Sequence, residues 1–300
     1  MQKLFKSIPL FLVFTISVQA QQDIQVKTLI KKFPGNGAIT VDGTGNILVN
    51  EYGLPNADIS GNGKRIFLVK PDGDYQVLLD DLNGPIGGVF DAKGSFYFNN
   101  GSSYTNSDLM RFTDGKLKKI ATIPGFSADM VISKSTNDII VTNYTKPILY
   151  KVDTKGNVLE FIKDDRLKGC TGITYGEDET IFVSNFSTGK IFKIENESTI
   201  VEFAAVPIEY PGYVIGYITY FNGNIYATGY GASKIYKIGI DGNVTLLAGS
   251  GERKDKDGNQ NKAGFFVPNG IEIDKKKKRL YISQNGNGQP KSLRYIDLSK

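Results

Sequence analysis

Histidine and tryptophan are absent from this 300-residue chain, and cysteine occurs once, at Cys170. Without histidine there is no Ser-His-Asp triad, no imidazole acting as general acid or base, and no His-ligated zinc. A single cysteine excludes an intrachain disulfide and any metal site built on two thiolates. Cys170 has no imidazole to activate it, so it reads as a small core residue on a strand. Any chemistry must rest on carboxylates, amides, tyrosines and lysines.

Long apolar runs are also scarce. The longest, Ile8 to Val18, follows Lys3 and Lys6 and ends at Val18-Gln19-Ala20, a small-x-small cleavage pattern. It is too short and wrongly flanked to span a membrane. Residues 1–20 are therefore expected to be a signal peptide, with a mature chain from about Gln21 that is periplasmic or secreted and has no membrane span. Losing Lys3 and Lys6 lowers the formal charge from +5 to +3, which points to no nucleic-acid partner. The basic run Lys275–Arg279 sits between two strand-like segments and reads as a solvated turn.

What fills residues 21–300 is a repeat. Six short runs follow one formula, three apolar residues, a small polar residue and usually an amide: Ile47–Glu51, Phe96–Asn100, Ile139–Asn143, Ile181–Asn185, Ile225–Gly229 and Leu280–Gln284. An apolar triplet is too short for a helix and suits a strand buried on both faces. Each run follows another strand, such as Met130–Ser133 or Ile271–Asp274. An aromatic-basic strand comes after it, such as Ile148–Val152 or Lys234–Ile238, and then a Gly-bearing turn and a fourth strand. Four antiparallel strands every ~42–55 residues describe a propeller blade. The expected fold is all-β, one six-bladed propeller over residues 21–300. The last repeat ends after its third strand, and Ile24–Phe33 has no partner of its own. That N-terminal segment is expected to close the ring as the fourth strand of the last blade.

The stretch Ala248-Gly249-Ser250-Gly251, Asp257-Gly258, Ala263-x-Phe265, Pro268-Asn269-Gly270-Ile271 and Leu280-Tyr281-Ile282 resembles an NHL repeat over about 40 residues. The resemblance implies a six-bladed NHL-type propeller. Broadly similar propellers include the senescence-marker-protein/gluconolactonase group, whose members hydrolyse lactones at a divalent metal in the central tunnel. Others are purely binding modules, so fold alone does not decide function. In the lactonase group a glutamate enters from the first blade's inner strand. Here that entrance is Gly35-Asn36-Gly37, with no acid, while Asn269 stands where the group has its Asn-Gly ligand.

In such a ring the second strands end, and the first strands start, on one face. Glu51, Asn100, Asn143, Asn185 and Gln284 share one register there. Asn269 lies in a more axial register with Gly37, Ile86, Ala128, Thr171 and Gly216, and Asp129 is one position further on. Amide oxygens and a carboxylate around a tunnel mouth suit a hard cation such as calcium, with Glu51, Asp129, Asn143, Asn185 and Asn269 as candidate ligands. Alternatively these amides bond to nearby backbone and terminate strands. Tyr210 and Tyr213 sit on a long connection entering the same face, where aromatics on a rigid scaffold recognise ligands such as sugars. Asp255-x-Asp257 faintly resembles a calcium loop but lacks its closing glutamate. The first reading is thus a non-catalytic module recognising a small molecule, glycan or protein. The alternative is a divalent-metal lactone or ester hydrolase.

Overall fold

Apolar alternation dictates where each strand lies. The structure, a computed structural model, describes residues 24–289 and 291–299, so the expected leader lies outside the described residues. Six antiparallel sheets stand around a central axis, five of them with strands in sequence order from axis to rim. In the third blade these strands are Ser127–Ile132, Ile139–Asn143, Ile148–Val152 and Val158–Lys163. The second strands are the most deeply buried: Ile47–Asn50, Ile139–Asn143 and Ile181–Asn185 are buried at every residue. Outer strands such as Tyr75–Leu79 are largely exposed. At roughly 1.5–3 kcal/mol per fully buried aliphatic side chain, these strands are a substantial part of the hydrophobic core.

The core is shared between blades. Val131, Ile140 and Leu149 of the third blade pack against Ile173, Val183 and Phe192 of the fourth, with Cys170 fully buried among them. Burial raises the Cys170 thiol far above its ordinary value. The small polar residue of the repeat ties neighbouring inner strands together. Asn50 Nδ2 donates to the Gly87 carbonyl at 2.7 Å, Thr142 Oγ1 to Thr171 at 2.7 Å, and Thr228 Oγ1 to Asn269 at 2.6 Å. Ser283 Oγ donates to the Gly37 carbonyl at 2.6 Å, joining the last blade to the first.

Closure is by the N-terminal strand, as the counting of strands requires. Gln25–Phe33 pairs antiparallel with Lys291–Asp297, the third strand of the last blade. A short strand, Gly258–Asn259, adds outside it, so the edge is covered by the loop that joins blades five and six. That loop is pinned by Arg294, which is fully buried. Its guanidinium contacts Asp255 and Asp257, donates to the Gly264 and Lys256 carbonyls, and lies 5.5 Å from the Phe265 ring centroid. The two acids of the calcium-like sequence are thus paired with a guanidinium.

Candidate functional site

Two cavities open along the axis, one at each face. The first strands run from the upper face, where the second strands end, to the lower face. Tyr217, on the inner strand Ile215–Phe221, lines both cavities and separates them.

The upper mouth, a cavity of about 260 Å³, is walled by aromatic rings: Tyr52, Phe126, Tyr144, Phe186, Tyr213 and Tyr230. They meet edge to face in series. Tyr52–Phe126 centroids are 6.3 Å apart, Phe126–Tyr144 6.0 Å, Tyr144–Phe186 6.2 Å and Phe186–Tyr230 5.2 Å. Such contacts fix ring orientation and make a stiff collar. Burial raises the Tyr52 phenol, and raises that of Tyr230 to about 12, so both are neutral at physiological pH. The collar opens at blade six, where Asn269 and Asn285 replace aromatic rings. A neighbouring cavity of about 300 Å³ shares Tyr213 and Tyr230 and adds Tyr210, Arg253, Val267 and Asn287.

Backbone strain gathers at this face. Among the described residues, the β-branched residues with a left-handed backbone are Ile59 (φ 61°) and Val267 (φ 57°). Both line these cavities. A branched Cβ in that region is costly, on the order of 1–3 kcal/mol, and such outliers cluster where a ligand is held. Ile59 is retained by a hydrogen bond from the Tyr52 hydroxyl to its carbonyl, which couples this strained residue to the collar.

The residues singled out in the sequence divide by what their side chains touch. Asn269 and Tyr213 line the mouth, and Tyr210 lies beside it. Asn143 donates to the Pro124 carbonyl at 2.8 Å and accepts from the Thr145 and Lys146 main-chain N–H groups. Asn185 donates to the Lys168 carbonyl and accepts from the main-chain N–H groups of Ser187 and Thr188. Asn100 accepts from the Asn83 N–H, and Gln284 accepts from the Phe266 N–H while donating to the Ser292 carbonyl. Glu51 forms a two-pronged pair with Arg65, both contacts 2.8 Å, on the rim of blade one. These five shape the loops around the mouth.

Asp129 lies on the other side of Tyr217, in a lower cavity of about 370 Å³ that also holds Glu272. Burial raises both carboxyls, Asp129 to about 8, against main-chain N–H bonds from Met130 and Ile173 that pull it down. Glu272 accepts the Thr219 hydroxyl at 2.8 Å and the Ile273 N–H at 2.8 Å. The Tyr217 hydroxyl, buried and near Asp129, has no hydrogen-bond partner at ordinary geometry.

These positions bear on whether a divalent cation fits. Glu51, Asp129 and Asn269 line three different cavities, and the Asn143 and Asn185 carbonyl oxygens are taken by main-chain donors. Among the described residues no three Asp, Glu or Cys side chains gather as a metal site. The proposed donor set does not converge on one point.

Tyr213 apart, the collar residues are not among those singled out in the sequence. Their signal is present: the residue after the strand-ending amide or glycine is aromatic in three successive blades, Tyr144, Phe186 and Tyr230. The strand-ending side chain turns into its own loop, and the next one reaches the axis.

No family model matches the chain, and no curated protein matches it. Solved structures do. A nutrient-binding protein described as auxiliary, from Bacteroides thetaiotaomicron, superposes with a TM-score of 0.75 at 12% identity over 92% of this chain and 76% of that one. A gluconolactonase from Xanthomonas campestris gives 0.65 at 16% identity, over 92% and 90%. Virginiamycin B lyase from Staphylococcus aureus, solved with quinupristin, gives 0.63 at 17% over 92% and 99%. At these identities the likeness shows the six-bladed propeller fold.

Proposed function

We propose that this chain is an exported recognition module that binds a small molecule in the aromatic-collared mouth without transforming it. The observation that carries the reading is the collar: six aromatic rings in edge-to-face contact around an axial cavity, with amides at one side only. A stiff apolar wall with a few fixed polar groups is the usual make-up of a small-molecule site. The similarity to proteins described as nutrient-binding supports the same reading, and the leader-like sequence of residues 1–20 supports export to the periplasm or beyond. A lactone or ester hydrolase, as in the gluconolactonase neighbours, requires a divalent metal to activate water in a histidine-free site. The dispersed donor set ranks that reading second, and no calcium or other cofactor is part of the proposal.

The test is a thermal-shift panel of sugars, lactones and amino acids on the wild type and on a Tyr144→Ala/Phe186→Ala variant. A binder should raise Tm in the wild type, following RT ln(1 + [L]/Kd), and leave the variant unshifted. A binder that stabilises both proteins equally would move the site elsewhere. Turnover of a lactone with added calcium, lost in Asp129→Ala, would establish the hydrolase instead.

A further inference from the structure

Amide side chains around the mouth are confined to one side. Blade six presents Asn269 and Asn285, whereas the other sectors present mostly aromatic and aliphatic side chains and, in blade four, Thr171, whose hydroxyl donates to the Gly216 carbonyl. The adjoining cavity continues that side with Asn287 and Arg253. Arg253 is exposed, and its guanidinium carbon lies over the Tyr210 ring, 5.1 Å from the centroid. Its main chain is fixed by a bridge pairing it with Phe265.

Two lysines nearby are matched with carboxylates. Lys234 is paired with Glu209 at 2.7 Å, and Lys254 with Glu252 at 2.9 Å. Glu51, on the far rim, is paired with Arg65. Among the described residues, no carboxylate pairs with Arg253. The cation–π contact with Tyr210 holds the guanidinium at the cavity and leaves its N–H groups free to donate. That arrangement suits a planar anion taken in a two-pronged contact. Tyr213 and Tyr230 belong to both cavities, so one ligand can rest a ring against the collar and reach Arg253 with a substituent.

We infer that the mouth and the Arg253 cavity together take a carboxylated sugar, with a pyranose ring against the collar and its carboxylate on Arg253. This rests on the mouth being the binding site. The sugar ring follows from the pairing of aromatic walls, which stack the C–H faces of a pyranose, with amides: Asn269 Nδ2 donates to the Asn36 carbonyl and Asn285 Oδ1 accepts the Asn287 N–H, which leaves Asn269 Oδ1 and Asn285 Nδ2 for its hydroxyls. The carboxylate follows from the unpaired, ring-held guanidinium.

The experiment compares the trimer of galacturonic acid with the neutral trimer of galactose. Binding is read by calorimetry and by tyrosine emission, which no tryptophan obscures in this chain. The proteins are wild type, Arg253→Gln, Arg253→Lys and the Tyr144→Ala/Phe186→Ala variant. The acidic trimer should bind wild type at least about tenfold tighter than the neutral one, and the preference should shrink as salt is raised. Arg253→Gln should remove the preference by lowering acidic binding to the neutral level, while Arg253→Lys, which keeps charge without the fork, should retain part of it. Equal binding of both trimers, abolished only in the collar variant, would overturn the inference and leave the mouth reading intact. An acidic preference that survives Arg253→Gln would also overturn it. If neither trimer binds, the carboxylated-sugar inference falls, and the mouth is then judged by the wider ligand panel alone.

Discussion

Arg294 Nη2 donates to Asp257 Oδ1 at 2.9 Å, and the same carboxylate oxygen accepts the Thr28 hydroxyl at 2.7 Å. One aspartate thus links the third strand of the last blade to the closing N-terminal strand. The two partners are unequally placed: the Arg294 side chain is fully buried, whereas that of Asp257 is 54% exposed. Arg294→Met leaves the Gly264 and Lys256 carbonyls without the guanidinium donor, whereas Asp257→Ala leaves Arg294 bonded to Asp255, Gly264 and Lys256. Arg294→Met should therefore lower unfolding stability by about 2–5 kcal/mol, at about 1–3 kcal/mol per acceptor deprived of that donor, and Asp257→Ala by about 1 kcal/mol or less. Denaturant titration of the two variants checks the order, and equal losses would contradict it.

Closure makes a second, independent claim. Gln25–Phe33 supplies ladder bonds to Lys291–Asp297 and buries Val26 and Phe33. A chain beginning at Pro34 loses that strand and exposes an unpaired edge, which invites association. Compared with a chain beginning at Gln21, it should melt lower and aggregate on heating. Matching melting curves would show that the ring does not need this strand.

Adjacent residues in the third blade should separate stability from binding. Asn143 is buried and satisfies main-chain groups of its own loop, so Asn143→Ala leaves several donors and an acceptor without partners. A loss of about 1–3 kcal/mol is expected, with ligand affinity preserved in the folded fraction. Tyr144→Ala removes a collar ring and should act mainly on affinity. Thermal melts combined with binding titrations of both variants test the division, and the reverse pattern would restore the amide register as the binding ring.

Asp129 gives the fold a pH dependence with a definite sign. Its carboxyl rises from an ordinary value of 3.8 to about 8 in the folded protein, because burial disfavours the charged form. Between those values the folded state holds a proton that the unfolded state has released. Stability from this group is therefore complete below pH 3.8 and is lost as pH rises toward 8. Asp129→Asn abolishes that titration. The difference in Tm, variant minus wild type, should rise from acid pH to about pH 8 and then level off. A difference that is flat with pH would place the Asp129 pKa near its unfolded value.

The sequence by itself determined the six blades, their strand order and the ring closure. These depend on which residues are apolar and how often they recur: the triplets Ile47–Val49, Ile139–Val141 and Ile181–Val183 must be covered on both faces, and only sheets packed around a ring do this six times over. An unpaired third strand at one end and an unpaired first strand at the other then leave one way to close. Tertiary structure decided where the strand-ending side chains point. Asn143 and Asn185 are equivalent in sequence to residues that could ring a tunnel, yet loop N–H groups arriving from Thr145, Lys146, Ser187 and Thr188 hold them away from it. Asp129 and Asn269 come from neighbouring registers but open into different cavities, because Tyr217 from a third blade stands between the two. Strand periodicity is local and survives in the sequence; the partner a polar side chain finds at a strand end is set by loops and blades that meet only when the ring has closed.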